Sequence, residues 1–139
     1  MFTNTAEIQS VSEEYFKRHP EIELVYIFGS VAQARINILS DIDIAILLDT
    51  KEVDDRLYNY GYKAQILTDL MKLLRTNNVD LVILNEANPL LRHRVLYFGK
   101  LIYFKSERKR IQFQVETIDK YVDFKQLFKS HLKPEVEDD

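Results

Sequence analysis

The chain has 139 residues, with no cysteine, no tryptophan, three glycines and three prolines. The lack of cysteine excludes disulfide bonds, thiolate catalysis and zinc sites built on thiolates. Any bound metal must therefore be held by oxygen or imidazole ligands. This restriction favours hard cations such as magnesium, which prefer oxygen.

Long hydrophobic runs are also missing. No apolar stretch approaches the ~20 residues needed to cross a bilayer, and the first 18 residues have no signal-peptide core. We therefore expect a cytoplasmic protein with no membrane contact. The formal net charge of -3 also argues against nucleic-acid binding through a general basic surface.

Apolar residues make up 46% of the chain and charged residues 29%, which is typical of a soluble globular protein. The length suits one hydrophobic core, so we predict one domain over residues 1–130. Residues 131–139 include Pro134 and four acidic residues, and we predict a frayed acidic tail there.

Hydrophobic periodicity and capping residues predict alternating helices and strands. The predicted strands are Glu23–Phe28, Asp41–Leu48, Val79–Leu84 and Leu101–Phe104. The predicted helices run from Asn4 to before Pro20, from Asp54 to about Thr76, from Asn88 to Phe98, and from Ser106 to about Lys129. This order indicates an α/β fold with a small mixed sheet flanked by helices, although the sequence does not give the order of the strands.

Two details of the second helix follow from its sequence. Apolar residues repeat at steps of three and four, which predicts one buried face. These residues are Leu57, Tyr60, Ala64, Leu67, Met71 and Leu74. Asn77 and Asn78 then suit the end of the helix, because asparagine tolerates the left-handed conformation.

The most informative stretch is Gly29-Ser30, ten further residues, and then Asp41-Ile42-Asp43. Residues two apart on a strand point to the same side, so Asp41 and Asp43 project together, roughly 7 Å apart along the backbone. Divalent cations between them would offset their repulsion. Asp80 begins the next predicted strand. If the two strands are neighbours, three carboxylates converge and can hold two metal ions for phosphoryl-type transfer.

Gly29 and Ser30 follow the first strand and open the next turn. Glycine lets backbone amides approach a phosphate, and serine adds a hydroxyl donor. We expect this pair to bind a triphosphate. Transfer of a phosphoryl-type group needs mainly positioning and charge neutralisation, so a small chain without a nucleophilic side chain can catalyse it.

The Gly-Ser pair, the Asp-x-Asp motif and the later acid resemble the polymerase-beta-like minimal nucleotidyltransferases, in particular the MntA-like antitoxins of HEPN toxin modules. The similarity covers nearly the whole chain. It implies a nucleotidyltransferase fold in which Asp41 and Asp43 bind both Mg2+ ions, while Asp80 binds one and can help to deprotonate the acceptor. It also implies that ATP is the donor and that the acceptor is a tyrosine hydroxyl of a HEPN-domain ribonuclease toxin, which adenylylation silences. Whether the chain forms a homo-oligomer or a hetero-oligomer with the toxin stays open.

The sequence departs from the family pattern after Ser30. Relatives often have arginines and a further glycine there, whereas residues 31–35 supply one arginine and no glycine. The cation that contacts the triphosphate is therefore unassigned, with Arg35 the first candidate.

Other interpretations of the same residues stay open. Asp41 and Asp43 could be charges that protect an edge strand, Asp80 could belong to a turn, and Ser30 could be a helix cap. At the level of function, the alternatives are an antitoxin that neutralises its partner by occlusion without catalysis, and a small-molecule nucleotidyltransferase of the aminoglycoside type. The short length disfavours the latter.

The last helix has two apolar faces at about 100° per residue. Aliphatic residues form one face and aromatic residues the other. They are Ile111, Val115, Ile118 and Val122, and Phe113, Tyr121, Phe124 and Phe128. We expect the aliphatic face to cover the sheet and the aromatic face to dock a toxin or a second copy, with two-sided packing inside the monomer as the alternative. Nearby Lys105, Arg108, Lys109 and Arg110 form a basic strip that we predict to be solvated, and His93 we predict to be structural.

Overall fold

The structure is a computed structural model that describes residues 4–29, 41–53 and 61–131. It contains a four-stranded sheet with helices on both faces. The strands are β1 (Ile22–Phe28), β2 (Ile42–Leu48), β3 (Val79–Ile83) and β4 (Lys100–Phe104). The helices are α1 (Thr5–Lys17), α2 (Tyr62–Leu74), α3 (Pro89–Phe98) and α4 (Glu107–His131). Within these ranges, no helix is both long and apolar enough to cross a membrane.

The sheet is mixed, with strand order β3-β2-β1-β4. β1 is antiparallel to both of its neighbours, whereas β2 and β3 are parallel. Parallel neighbours need a crossover, and α2 lies in the connection between these two strands. The predicted α/β fold with a small mixed sheet is confirmed.

The sheet separates two hydrophobic cores. Ile42, Ile44 and Ile46 of β2 belong to the core on the side of α1 and α2. Ala45 lies in the core on the other side, together with Val95 of α3 and Phe113 of α4. Because successive residues of a strand point to opposite faces, odd-numbered β2 residues face α3 and α4.

Three helix starts follow from local capping chemistry, as predicted. Asn4, Asn88 and Ser106 each accept a hydrogen bond from the backbone N–H three residues later, at 2.9, 2.8 and 3.2 Å. Such caps satisfy amide groups that have no partner inside the helix. Pro89 follows Asn88 at the first helical position, where its missing N–H costs nothing.

The predicted continuous second helix from Asp54 to about Thr76 is wrong at Gly61. Helix α2 begins at Tyr62, because Gly61 before it has φ 90° and ψ 161°, a non-helical conformation. Residues 54–60, including Leu57, Tyr58 and Tyr60, lie outside the described parts of the chain. The buried face agrees with the prediction only in part. Leu74 is buried as predicted, whereas Ala64, Leu67 and Met71 are half-buried. The other fully packed residues are Tyr62, Ile66 and Leu70.

The predicted end of that helix also needs a correction. The residue in the left-handed conformation is Arg75, with φ 56°, rather than Asn77 or Asn78. Its backbone N–H donates to the carbonyl of Met71. Asn78 instead accepts a hydrogen bond at its carbonyl from Ile42 N, at 2.8 Å, and so joins the start of β3 to the start of β2.

The two faces of α4 are assigned the other way round from the prediction. Phe113 is buried against Tyr26 of β1, and the ring of Tyr121 stacks on His93. The aromatic face therefore packs on the domain over its first half, while Phe124 and Phe128 stay exposed. The four aliphatic residues do not cover the sheet, and each keeps 44–53% of its surface exposed.

Candidate active site

Two of the predicted catalytic acids, Asp43 and Asp80, meet at the end of the sheet where β2 and β3 begin, which we name the acidic edge. β2 and β3 are parallel and begin at the same edge, and their register pairs Asp43 with Asp80. Neighbouring strands lie about 4.8 Å apart, and paired residues in a parallel ladder project to the same side. Alternation along β2 directs Asp43 towards the α3 and α4 side, so the two carboxylates lie next to each other there.

Asp41 stands beside this pair. It is exposed and immediately precedes β2. The hydrogen bond from Ile42 N to the Asn78 carbonyl keeps this part of the chain next to the residues that lead into β3. The structure therefore brings Asp41, Asp43 and Asp80 to the same edge, with Asp43 and Asp80 as the closest pair in the ladder.

The electrostatics of Asp43 reflect this crowding. Burial raises the pKa of its carboxyl from 3.8 to about 6, and the negative charges of Asp80 and then Asp41 add to the effect. Both causes disfavour the charged form of the group. A bound cation would favour the charged form of Asp43 again, because its positive charge attracts all three carboxylates.

Gly29 lies directly against the Asp43 side chain. β1 ends at Phe28, which is paired with Asp43, and Gly29 follows with φ 74°. A Cβ atom at this position would collide with Oδ2 of Asp43 and would come within 3.1 Å of its Cγ. Glycine is therefore required here both by its left-handed backbone and by the close carboxylate.

The carboxylates fit magnesium in their donor chemistry, since hard cations take oxygen ligands from aspartate. In the described residues no three acidic or histidine side chains are arranged to hold an ion as they stand. Of the three acids predicted to hold metal, the ladder register places Asp43 and Asp80 side by side. Ser30 and Arg35, predicted around the triphosphate, lie outside the described residues.

Other residues singled out from the sequence lie elsewhere. The ring of His93 stacks on Tyr121, with 3.6 Å between centroids, and lies 5.9 Å from the ring of Tyr97, in agreement with a structural role. Three cations of the basic strip make contacts within the chain. Lys105 donates to the Pro20 carbonyl, Lys109 contacts Glu23, and Arg110 contacts Glu107. These contacts agree with a basic strip on the surface whose cations bind groups of the same chain.

Sequence reasoning missed the contact between Gly29 and Asp43. It assigned the glycine only to phosphate approach, whereas the structure shows that it also makes room for Asp43, fourteen positions along the chain. It also emphasised the Asp41–Asp43 pair of one strand. The closer relation joins Asp43 to Asp80 across the ladder, and only the parallel register reveals it.

A comparison with known families agrees with this geometry. Residues 12–108 match the family model described as polymerase beta, nucleotidyltransferase. The chain belongs to this nucleotidyltransferase family. The matched range contains Gly29, Asp41, Asp43 and Asp80, so the edge described above lies inside the family domain.

Two curated relatives are both described as protein adenylyltransferase MntA. The one from Aphanizomenon flos-aquae is 26% identical over 131 residues, which cover 92% of this chain and 87% of the relative. The one from Shewanella oneidensis is 30% identical over 102 residues, which cover 73% and 68% of the two chains. Within the nucleotidyltransferase family, the chain is therefore MntA-like.

Two solved structures of similar fold are toxin–antitoxin complexes. A complex crystallised with AMP-PNP matches with a TM-score of 0.70 and 28% identity, covering 88% of this chain and 93% of the other. A tri-AMPylated Shewanella oneidensis HEPN toxin in complex with its MNT antitoxin matches with a TM-score of 0.67 and 25% identity, covering 90% and 92%. The similarity extends over nearly the whole length of each matched chain.

Proposed function

We propose that this nucleotidyltransferase is an antitoxin that transfers AMP from ATP to a tyrosine hydroxyl of a HEPN-type toxin. The observation that carries the proposal is the pairing of Asp43 with Asp80 at the sheet edge, beside a glycine that leaves room for the Asp43 carboxylate. Asp41 completes the acidic set. Because the reaction consumes ATP, we place it in the cytoplasm.

The reaction is a displacement at the α-phosphorus. The tyrosine oxygen forms a bond to the α-phosphorus, the bond to the bridging oxygen of the β-phosphate breaks, and pyrophosphate leaves. The hydroxyl proton passes to a carboxylate, for which Asp80 is the proposed acceptor. Two magnesium ions, held by Asp41, Asp43 and Asp80, would supply the positive charge that the triphosphate and the leaving pyrophosphate require.

The residues of the chain have separate roles in this proposal. Burial, and then the charges of Asp80 and Asp41, disfavour the ionised form of Asp43, so bound cations would relieve this group directly. Gly29 keeps the space over Asp43 free of a side chain. We propose that Ser30 donates its hydroxyl to a phosphate oxygen. The solved complexes with AMP-PNP and with an AMPylated HEPN toxin support the donor and the acceptor for their own antitoxins.

The decisive experiment is the intact mass of the HEPN toxin of its own module after incubation with this protein, magnesium and ATP. We expect the toxin to gain one or more AMP groups on tyrosine and to lose ribonuclease activity. An Asp41→Asn, Asp43→Asn double variant should fold and bind the toxin but add no mass, because it keeps the shape and removes the charge.

Two outcomes would reject parts of this proposal. If the double variant still silences the toxin, occlusion without catalysis is the mechanism. If the wild-type protein binds the toxin but leaves its mass unchanged, while modifying an aminoglycoside or a similar small molecule, the acceptor is not a protein. GTP, CTP and UTP in parallel reactions test the choice of donor.

A further inference from the structure

Four aliphatic side chains form an exposed line along α4, which we name the α4 stripe. Ile111, Val115, Ile118 and Val122 are 48, 53, 50 and 44% exposed. Their spacing of four, three and four residues places them on one side of the helix. This spacing is that of alternating d and a positions in a helix that pairs with another helix.

The stripe lies away from the domain. The residues of α4 that pack inward are Phe113 and Thr117, which are buried, and Tyr121, which stacks on His93. At 100° per residue, Phe113 and Thr117 lie 100° or more from every residue of the stripe. The exposed fractions show that the described parts of the chain leave the stripe largely uncovered.

The composition of the stripe is unfavourable for a helix surface that only faces water. Valine and isoleucine lose side-chain freedom in a helix and have lower helix propensity than the straight-chain residues common on such surfaces. A line of four exposed apolar side chains on one helix face is typical of an amphipathic helix that docks against a partner. These residues therefore lower the stability of α4 when it faces water, and burial against a partner would compensate for that loss.

Cations at both ends indicate which partner fits. Arg108, three residues before Ile111, extends the same repeat at one end of the stripe. Lys125 and Lys129, three and seven residues after Val122, extend it at the other end. A second copy in parallel orientation would place each cation against its own equivalent. In antiparallel orientation Arg108 would face Lys125. Both arrangements bring like charges together, whereas acidic residues at the two ends of a partner helix would complement them.

The size of the stripe also argues against simple self-association. Four half-exposed aliphatic residues supply much less than the ~800 Å2 that each partner buries in a typical stable interface. The stripe must therefore belong to a larger contact. A protein substrate that also reaches the acidic edge of the sheet would provide one.

We propose that the α4 stripe docks an amphipathic helix of the toxin, apolar over about three turns and acidic at both ends. This inference rests on the proposed function, because it assumes that the toxin is the partner. It assigns binding to α4 and transfer to the acids of β2 and β3. Binding and transfer can therefore be separated by mutation.

The test measures toxin affinity by calorimetry and the mass of the free chain by sedimentation. The test variant is Val115→Gln, Ile118→Gln, in which exposed β-branched residues become better helix formers, so the fold is kept. The matched control is Glu116→Gln, Lys120→Gln, which changes exposed residues of the same helix away from the stripe. We expect the test variant to bind about tenfold or more weakly and the control to bind as the wild type does.

A second variant tests the charges. Arg108→Glu, Lys125→Glu should also weaken toxin binding, and the affinity of the wild type should fall as salt increases. Equal affinity of the stripe variant and the control would overturn the proposal. So would a wild-type homodimer that the stripe substitutions convert to a monomer, because a second copy would then be the occupant.

Measuring AMP transfer together with toxin binding distinguishes a failure of this inference from a failure of the proposed function. Normal binding without any AMP transfer would reject the catalytic role and leave the docking site standing. Normal transfer with a stripe variant that binds normally would reject only the docking site. A toxin that does not bind the wild-type chain would reject both.

Discussion

Asp43 is a half-buried carboxylate that faces two others, and its pKa is raised to about 6. In the unfolded chain the same group titrates near 3.8. Between these values the folded state binds more protons than the unfolded state, so the stability contributed by this group falls as pH rises through that window. Above pH 6 the full penalty is present, unless a cation offsets it.

We predict that Asp43→Asn melts at a higher temperature than the wild type at pH 7.5 without magnesium. The gain is on the order of 1 kcal/mol after allowance for solvent screening. The difference should be smaller at pH 5, where most of the wild-type carboxyl is protonated, and added magnesium should stabilise only the wild type. Thermal unfolding at both pH values, with the exposed Asp123→Asn as control, checks this. A lower melting temperature for Asp43→Asn at pH 7.5 would contradict the account.

Gly29 and Gly61 offer a matched pair of glycine positions. Both have positive φ, of 74° and 90°, so alanine strains the backbone at either site. Only at Gly29 would the new methyl group also collide with the Asp43 carboxylate, since nothing lies within 4 Å of the same atom at Gly61.

We expect both glycine-to-alanine variants to lose stability, by about 1 kcal/mol or more, and only Gly29→Ala to lose transfer activity beyond the loss of folded protein. The measurement is the transfer rate per folded molecule, with the folded fraction taken from urea unfolding. If Gly29→Ala transfers AMP as fast as Gly61→Ala, the contact between Gly29 and Asp43 has no part in the site.

Strand β2 is held by a backbone hydrogen bond at one end and by side-chain hydrogen bonds at the other. At the acidic end, Ile42 N donates to the Asn78 carbonyl at 2.8 Å. At the other end, the Asn85 side chain accepts from Leu48 N and donates to the Leu48 carbonyl, both at 2.8 Å. Because β3 already ends at Ile83, this side-chain amide takes the place of the next pair in the ladder.

Replacing Asn85 with alanine should therefore loosen the far end of β2. We predict a loss of about 1–2 kcal/mol and faster hydrogen exchange of the Leu48 amide, because two hydrogen bonds disappear. The acids lie at the opposite end of the strands, so transfer by the folded protein should be nearly unchanged. Slow exchange at Leu48 in the variant would show that the amide bridge does not support the strand end.

The elements also show where sequence reasoning succeeds. Caps at Asn4, Asn88 and Ser106 were predicted because a cap depends on a few adjacent residues. The start of α2 was missed because the apolar spacing continues across Gly61, whose positive φ interrupts the helix. The faces of α4 were exchanged because both are apolar, and only contacts with β1 and α3 decide which one is buried.

For the whole molecule, the sequence predicted the residues of the proposed site but not their arrangement. The Gly-Ser and Asp-x-Asp motifs identified Gly29, Asp41 and Asp43, and strand prediction added Asp80. Strand order and parallel register depend on contacts between distant parts of the chain, so the pairing of Asp43 with Asp80 required the structure. The raised pKa of Asp43 follows from burial and from that pairing.

The whole chain thus presents two surfaces with separate proposed tasks. The acidic edge of β2 and β3 lies on the α3 and α4 side of the sheet, and the α4 stripe faces outward from the same layer of helices. A protein acceptor can use the outer surface for affinity while its hydroxyl enters the acidic edge. Affinity and chemistry would then depend on different residues of one small domain.

The most direct test of the central claim is the single-turnover rate of AMP transfer to the toxin by Asp80→Asn. Asp80 is exposed, and Asn keeps its shape, so folding and toxin binding should match the wild type. We predict a rate about a hundredfold or more below that of the wild type, because the carboxylate paired with Asp43 is lost. A rate within about threefold of the wild type, at equal toxin binding, would contradict catalysis by the paired carboxylates.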